Sequence, residues 1–190
     1  RNQNYGRNLI VKWVKDFFLN AKSIKVLDVG YAEGEDLHNI KNALPMVSVD
    51  LYGLDFREAS IYRKMTEEIK HYQCSVEQEP IPFNDNTFDL VICNQILEHT
   101  KDIFWIIHEV LRVCKPNGYF IIGVPNLASL HCRIQLLLGE QPSSMKLLGS
   151  HVRGFTLKET RKLIEFNQNA KVIKSAGSGF YLVPRVFGNF

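Results

Sequence analysis

The alternation of short apolar strand patterns with helical patterns constrains the fold more than any other feature of the sequence. The run IKVLDV, residues 24–29, is rich in β-branched side chains and ends at Gly30, which is typical of a buried parallel strand. EDLHNIKNAL then has helical spacing and stops before Pro45, because proline cannot extend a helix. Right-handed crossovers bring such helices to both faces of a parallel sheet. We therefore predict an α/β fold with a doubly wound, mostly parallel sheet.

The same patterns predict the remaining elements. Helical spacing of apolar residues indicates one helix over residues 9–17 and another over 103–113. VSVDLYGLDF predicts a strand ending near Asp55, residues 69–76 a third strand and FDLVICN a fourth. YFIIGVP predicts a fifth strand after a tight turn at KPNG, and KVIKSAG a sixth. LASLHCRIQLLLG indicates a further helix, and Thr156 with Glu159 forms a helix-capping pattern.

Composition limits the class of protein. A chain of 190 residues fits a single domain, residues 1–190, and 45% hydrophobic with 23% charged residues is ordinary for a folded protein. The formal charge of +3 has no basic cluster behind it, so we expect no nucleic-acid partner. No apolar run approaches the roughly 20 residues that cross a bilayer. The cysteines form no CxxC pair, so we expect no metal site and a reducing, cytoplasmic location; they are Cys74, Cys93, Cys114 and Cys132.

The turn after the first strand carries the first chemical signal. In VLDVGYAEG, the residues Asp28, Gly30, Ala32 and Gly34 occupy the positions of a D-x-G-x-G-x-G motif, with alanine in place of the middle glycine. Glycines at such a turn let a ligand approach the backbone, and N–H groups at the following helix start can meet a carboxylate. This segment resembles the class I S-adenosylmethionine-dependent methyltransferases. The resemblance implies a Rossmann-like sheet and S-adenosylmethionine as cofactor.

Two further segments match that family in order. Asp55 ends the second strand about 20 residues after the turn, a spacing at which a carboxylate accepts hydrogen bonds from ribose hydroxyls; the alternative is a capping aspartate. The resemblance adds Phe56 beside it as a cofactor contact. CSVEQEPIPFNDNTFDLVICNQILEHTKD looks like the family's adenine loop, fourth strand and following helix. Ser75 falls where the family commonly has an acidic residue, so the backbone of Val76 or the side chain of Glu77 is an alternative adenine partner.

The resemblance also implies residues on the acceptor side. Asn94 and Gln95 lie at the mouth of the fourth strand, where the family packs the methionine end of the cofactor, and Glu98 with His99 forms its EH pair. Residues 126–155 are expected to form a lid or substrate-side insert ending in HVRGF. We predict His151, and after it His99, as catalytic proton acceptors; the alternative for either histidine is a structural hydrogen bond. Arg153 is a candidate anion anchor with the same structural alternative.

The family branch suggests a substrate class but does not decide it. The segments match a branch often associated with sugar and glycan assembly, so we expect a small-molecule or glycan-type methyl acceptor and in-line methyl transfer. Class I sheets normally end in an antiparallel hairpin, whereas SGFYLVPRVFGNF has a proline and two glycines, which predicts a truncated C-terminal strand. A non-catalytic cofactor-binding protein and a nicotinamide-dependent oxidoreductase are the alternatives. The second explains less, because Gly30 and Gly34 do not form G-x-G-x-x-G.

Overall fold

The computed structural model describes residues 4–58, 68–166 and 169–177. Five strands form one parallel sheet in the spatial order β3-β2-β1-β4-β5. In chain order the elements are α1 (Arg7–Phe18), β1 (Ser23–Val29), α2 (Glu35–Ala43), β2 (Ser48–Asp55), β3 (Ile69–Gln73), β4 (Phe88–Asn94), α3 (Ile103–Val113), β5 (Cys114–Gly123), α4 (Leu130–Leu137) and α5 (Leu157–Glu165). The predicted α/β fold with a parallel Rossmann-like sheet is confirmed.

The two faces of the sheet each carry a separate apolar core. Side chains of a strand alternate between faces, so neighbouring residues such as Val26 and Leu27 of β1 pack into different clusters. Val14 of α1 and Ile40 of α2 cover the face that holds Val26. Helix α3 covers the other face, where Ile106 packs in the same cluster as Leu27. This arrangement buries the middle of the sheet and leaves the carboxyl ends of its strands for a site.

Strand β5 begins earlier than the sequence predicts. The tight turn expected at KPNG lies within the strand, which starts at Cys114 instead of Tyr119. The pairing with β4 shifts register there, since Phe88 pairs with Cys114 and Leu90 pairs with Tyr119. Asn117 has a positive φ of 62° at the irregularity. The turn residues therefore form a bulge in a longer strand, which the local sequence does not distinguish from a turn that precedes it.

The sixth strand predicted at KVIKSAG is wrong. Residues 171–177 form no strand. Their described contacts are with side chains instead of with the backbone of a neighbouring strand. The Val172 N–H donates to the Glu165 carboxylate at 3.0 Å, and the Lys174 ammonium contacts Asp16 at 2.6 Å. A backbone N–H that donates to a side chain cannot join a sheet ladder. The predicted truncation of the final strand concerns residues 178–190, which lie outside the described residues.

The helices predicted from apolar periodicity are confirmed. The α3 bounds equal the predicted ones, and α1 extends the predicted residues 9–17 at both ends. At α5 the Glu159 N–H donates to the Thr156 hydroxyl at 3.3 Å, which is the predicted cap. No helix in the described part of the chain has the length and apolar character needed to cross a bilayer.

Candidate functional site

The strand register aligns the predicted residues along one edge of the sheet. Asp28 of β1 lies opposite Gly53 of β2 and Ile92 of β4. Two residues further along each chain come Gly30, Asp55 and Asn94 respectively. The glycine turn, the second-strand carboxylate and the fourth-strand amide therefore lie at the same level on three neighbouring strands. This is the position at which doubly wound sheets bind ligands.

The turn between β1 and α2 is held in a glycine-type conformation. Gly30, Ala32 and Gly34 all have positive φ values, of 75°, 47° and 72°. The Gly30 N–H donates to the Leu54 carbonyl at 2.7 Å, which ties the turn to the end of β2. Ala32 thus adopts the left-handed conformation of the glycine that it replaces, at a cost of about 1–2 kcal/mol.

Tyr31 is a buried aromatic residue of this turn. Its ring lies against Gly53, where a Cβ atom would come within 2.7 Å of the ring. Its hydroxyl pairs with His71 Nδ1 at 2.8 Å. Burial, followed by the charges of Asp55 and Asp28, raises the pKa of Tyr31 to about 12. The aromatic ring therefore fixes the turn against β2, and glycine at position 53 makes room for it.

Three carboxylates are buried around the turn. Asp28, Asp36 and Asp55 are 2%, 7% and 3% exposed. Burial raises the pKa of Asp28 well above its ordinary value, and the charges of Asp36 and Asp55 raise it further while Arg7 lowers it. Burial also raises the pKa of Asp36, although the Asn94 amide and Arg7 oppose this. The site thus favours a bound positive charge. Sequence reasoning missed Asp36, whose only signal was an acidic residue in the helix turn after the glycines.

Asp55 is oriented by its neighbours at the end of β2. Its Oδ1 accepts from the Arg57 backbone N–H at 3.1 Å and from Arg57 Nε at 3.2 Å. The Arg57 side chain is 41% exposed and lies over the ring of Phe56, itself 67% exposed. The Asp55 carbonyl also accepts from Cys74 N–H at 2.9 Å, which connects this edge to the segment after β3.

The segment proposed to meet the adenine ring forms a compact turn after β3. The Ser75 carbonyl accepts from the N–H groups of Gln78 and Glu79, both at 2.9 Å. Val76 is 8% exposed and packs into the core on the α3 side. The Glu77 carboxylate accepts from the Lys101 N–H near the start of α3, so its Oε1 is engaged there.

Asn94 and Gln95 are constrained by β5. The Asn94 amide donates to Asp36 Oδ2 at 2.8 Å, which links β4 to α2. A Cβ atom at Gly123 would lie 2.1 Å from Asn94 Oδ1, so glycine at this position makes room for the amide. Gln95 has a positive φ of 61°, and its N–H donates to the Gly123 carbonyl at 2.7 Å. The chain therefore turns sharply immediately after the fourth strand.

The structure brings His99, His151 and Glu98 together. The two imidazole rings meet edge to face with centroids 4.8 Å apart. One potential ligand atom from each of the three residues lies within 4.8 Å of the other two. Glu98 is 1% exposed, and burial raises the pKa of its carboxyl group while the two histidines lower it. These residues follow β4 directly, next to Asn94 and Gln95.

The segment that carries His151 is docked by hydrogen bonds to two backbone carbonyls. The Val152 N–H donates to the Glu98 carbonyl at 2.8 Å, and Arg153 donates to the Lys101 carbonyl at 2.8 Å. Asn126 and Phe155 form a parallel bridge that closes the insert at its two ends. The Arg153 contact matches the structural alternative considered for this residue, because a guanidinium donor holds a backbone carbonyl there.

Comparisons with known proteins agree on a family. A model described as a methyltransferase domain matches residues 20–171. The chain is 29% identical over 113 residues to the mitochondrial arginine-hydroxylase NDUFAF5 of Danio rerio, covering 58% of this chain and 34% of that protein. It is 27% identical over 119 residues to the ubiquinone biosynthesis O-methyltransferase of Rickettsia prowazekii, covering 62% and 46%. The chain therefore spans between a third and a half of the length of these relatives.

Solved structures agree on the fold. The YcgJ protein of Bacillus subtilis superposes with a TM-score of 0.61 at 22% identity, covering 88% of this chain and 68% of that one. A SAM-dependent methyltransferase from Archaeoglobus fulgidus superposes with a TM-score of 0.59 at 17% identity, covering 84% and 67%.

Proposed function

Because this chain belongs to the methyltransferase-domain family, we propose that it transfers a methyl group from S-adenosylmethionine to a small-molecule acceptor. The observation that carries the proposal is the alignment of the glycine turn, Asp55 and Asn94 along the edge formed by β1, β2 and β4. The family match favours this activity over nicotinamide-dependent oxidation. The hypothesis of a glycan-type acceptor rests on the sequence resemblance alone.

The residues present fit the cofactor chemically. S-adenosylmethionine carries an ammonium, a sulfonium, a carboxylate and a ribose diol. The buried carboxylates of Asp28 and Asp36 provide the negative potential that two positive charges need. Asp55 lies where the diol is bound in sheets of this type. Its carboxylate is also held by Arg57, whose NH2 donates to Oδ2 at 3.5 Å.

The other cofactor contacts follow from position. Gly30, Ala32 and Gly34 form the cradle for the amino-acid portion, and Ser75 with Val76 borders the adenine side. Phe56 supplies an exposed ring next to Asp55. Asn94 and Gln95 lie between these groups and the histidines, where the reacting methyl group would face the acceptor.

The chemistry requires alignment more than acid or base. Bound S-adenosylmethionine supplies a methyl group on a positively charged sulfur, and transfer proceeds by in-line displacement. The chain contributes by holding donor and acceptor at contact distance and by excluding water. His151 and His99 are our candidates for promoting loss of the acceptor's proton, because both rings lie beside the fourth-strand turn.

The cysteines indicate the location of the protein. All four cysteines are buried and free, in keeping with a reducing compartment, and we propose a cytoplasmic location. We expect a small-molecule partner and no nucleic acid.

The replacement Asp55→Ala tests the cofactor site. Titration calorimetry with S-adenosylhomocysteine should show at least a tenfold loss of affinity, because one charge-assisted hydrogen bond is worth about 1.5–3 kcal/mol. Asp50→Ala is the matched control, since Asp50 lies on the same strand with its side chain 51% exposed. Equal affinity in parent and Asp55→Ala would reject the proposed site. Release of S-adenosylhomocysteine across a panel of hydroxyl-bearing acceptors would then identify the substrate.

A further inference from the structure

Glu98 is a buried carboxylate that the cofactor site does not use. It is 1% exposed, and among the described residues neither of its carboxylate oxygens has a hydrogen-bond partner apart from a contact with its own backbone N–H. Burial of an unpaired carboxylate is strongly unfavourable unless a cation or donors offset the lost hydration. The two groups next to it are the imidazoles of His99 and His151. A metal cation at this position would offset the burial of the carboxylate, and two nitrogen ligands are present beside it.

Both imidazoles are held with their other nitrogen available. His99 Nδ1 lies 3.1 Å from the Ser150 carbonyl, and His151 Nδ1 lies 2.7 Å from the Ser144 carbonyl. A carbonyl oxygen can only accept a hydrogen bond, so Nδ1 of each ring bears a hydrogen and Nε2 is the nitrogen left for a metal ion. Metal binding uses the lone pair that Nε2 carries in this tautomer of the neutral ring. Backbone carbonyls hold metal-binding histidines in this same way, fixing the tautomer and the ring orientation.

We propose that Glu98, His99 and His151 bind a divalent transition-metal ion of the Zn²⁺, Co²⁺ or Fe²⁺ type. Two imidazoles with one carboxylate suit these ions, whereas Mg²⁺ prefers oxygen ligands throughout. The three ligand atoms lie within 4.8 Å of one another, and bound ligands lie about 3 Å apart around an ion with bonds of about 2.1 Å. An ion would therefore draw the three side chains closer together than they lie here. We expected no metal site because the cysteines form no CxxC pair. That reasoning concerned cysteine ligands and did not consider a cluster of one carboxylate and two histidines.

Three protein ligands leave coordination positions open for an oxygen atom of the acceptor. This role rests on the proposed methyl transfer, and it selects acceptors that carry a hydroxyl group. Coordination lowers the pKa of a hydroxyl, so its proton passes to water. The oxygen electron pair then forms the bond to the methyl carbon, and the pair of the broken carbon–sulfur bond remains on sulfur. His151 acts as a ligand in this scheme and takes up no proton.

Titration of the chain, prepared without a histidine tag, with Co²⁺ tests the site. We expect one equivalent to bind with visible ligand-field bands, which azide shifts by occupying an open position. Glu98→Gln and His151→Ala should each weaken Co²⁺ binding at least tenfold, a loss that replacement of even a supporting residue typically causes. His108→Ala is the matched control, because His108 is an exposed histidine of α3 outside the cluster. Circular dichroism checks that each variant folds, and His99→Ala provides a third variant at an exposed position.

The results of these titrations distinguish failure of the metal site from failure of the proposed methyl transfer. Absence of ligand-field bands, or Co²⁺ affinity retained in all three cluster variants, overturns the metal site. S-adenosylhomocysteine binding is measured on the same samples, so a chain that binds the cofactor product without Co²⁺ keeps the proposed function and loses only this inference. Co²⁺ binding without any affinity for S-adenosylhomocysteine gives the reverse result.

Discussion

Replacing Gly123 by alanine perturbs the site through a single side chain. The new Cβ atom would lie 2.1 Å from Asn94 Oδ1, so the amide must move. The Asn94 amide donates to Asp36 Oδ2 at 2.8 Å, and rotation away from Gly123 breaks this bond between β4 and α2. Gly123 does not have a positive φ, so the substitution carries no left-handed backbone strain. The contact with Asn94 therefore dominates the effect.

The magnitude follows from what the amide loses. A hydrogen bond to a charged group contributes about 1.5–3 kcal/mol, and overpacking of a well-packed site costs about 1–3 kcal/mol. We expect Gly123→Ala to lower the free energy of unfolding by about 2–3 kcal/mol. In the Asn94→Ala background the obstructing amide is absent, and the same replacement should cost less than about 0.5 kcal/mol. The coupling free energy between the two positions is then about 2 kcal/mol.

Urea unfolding of the parent, both single variants and the double variant measures this coupling. Fluorescence of Trp13 and Trp105 reports the transition, because these residues pack against the cores on opposite faces of the sheet. Equal slopes in urea are required for the comparison. Additive effects, within about 0.5 kcal/mol, would refute the reasoning that Gly123 acts through Asn94.

Two further predictions concern buried charges. The pKa of Asp28 is raised in the folded state, so the unfolded chain loses this proton first as pH rises above about 4, and Asp28 then lowers the free energy of unfolding. The Asp28→Asn variant should therefore unfold at a higher urea concentration than the parent at pH 7, and this difference should disappear at low pH. A difference that does not depend on pH would contradict the reasoning. Arg112 donates to the Glu109 carboxylate at 2.6 Å and to the Ile81 carbonyl at 2.9 Å. Because Glu109 is 3% exposed, Arg112→Ala should lower the free energy of unfolding, measured in urea, by about 3–5 kcal/mol. A loss below about 1 kcal/mol would show that water replaces the guanidinium.

Much of the fold could be predicted because its signals are local. The β-branched runs of β1 and β4 and the apolar stripe of α3 each specify an element within a few residues. The glycine turn was recognisable because Gly30 and Gly34 take positive φ values that other residues adopt only under strain. The Asp55 position followed from its spacing after the turn. The sixth strand failed because apolar content at residues 171–177 does not say whether a neighbouring strand is within reach.

Sequence alone determined which residues end β1, β2 and β4, since the period of side-chain burial and the punctuation by glycine are properties of short segments. Only the tertiary structure decided which of those residues meet. The Asn94 amide reaches Asp36 because β4 lies beside β1, and α2, which carries Asp36, follows β1. His151 reaches His99 because the bridge between Asn126 and Phe155 closes the insert. Such pairs depend on chain crossings between distant segments, and no local pattern encodes the geometry of a crossing.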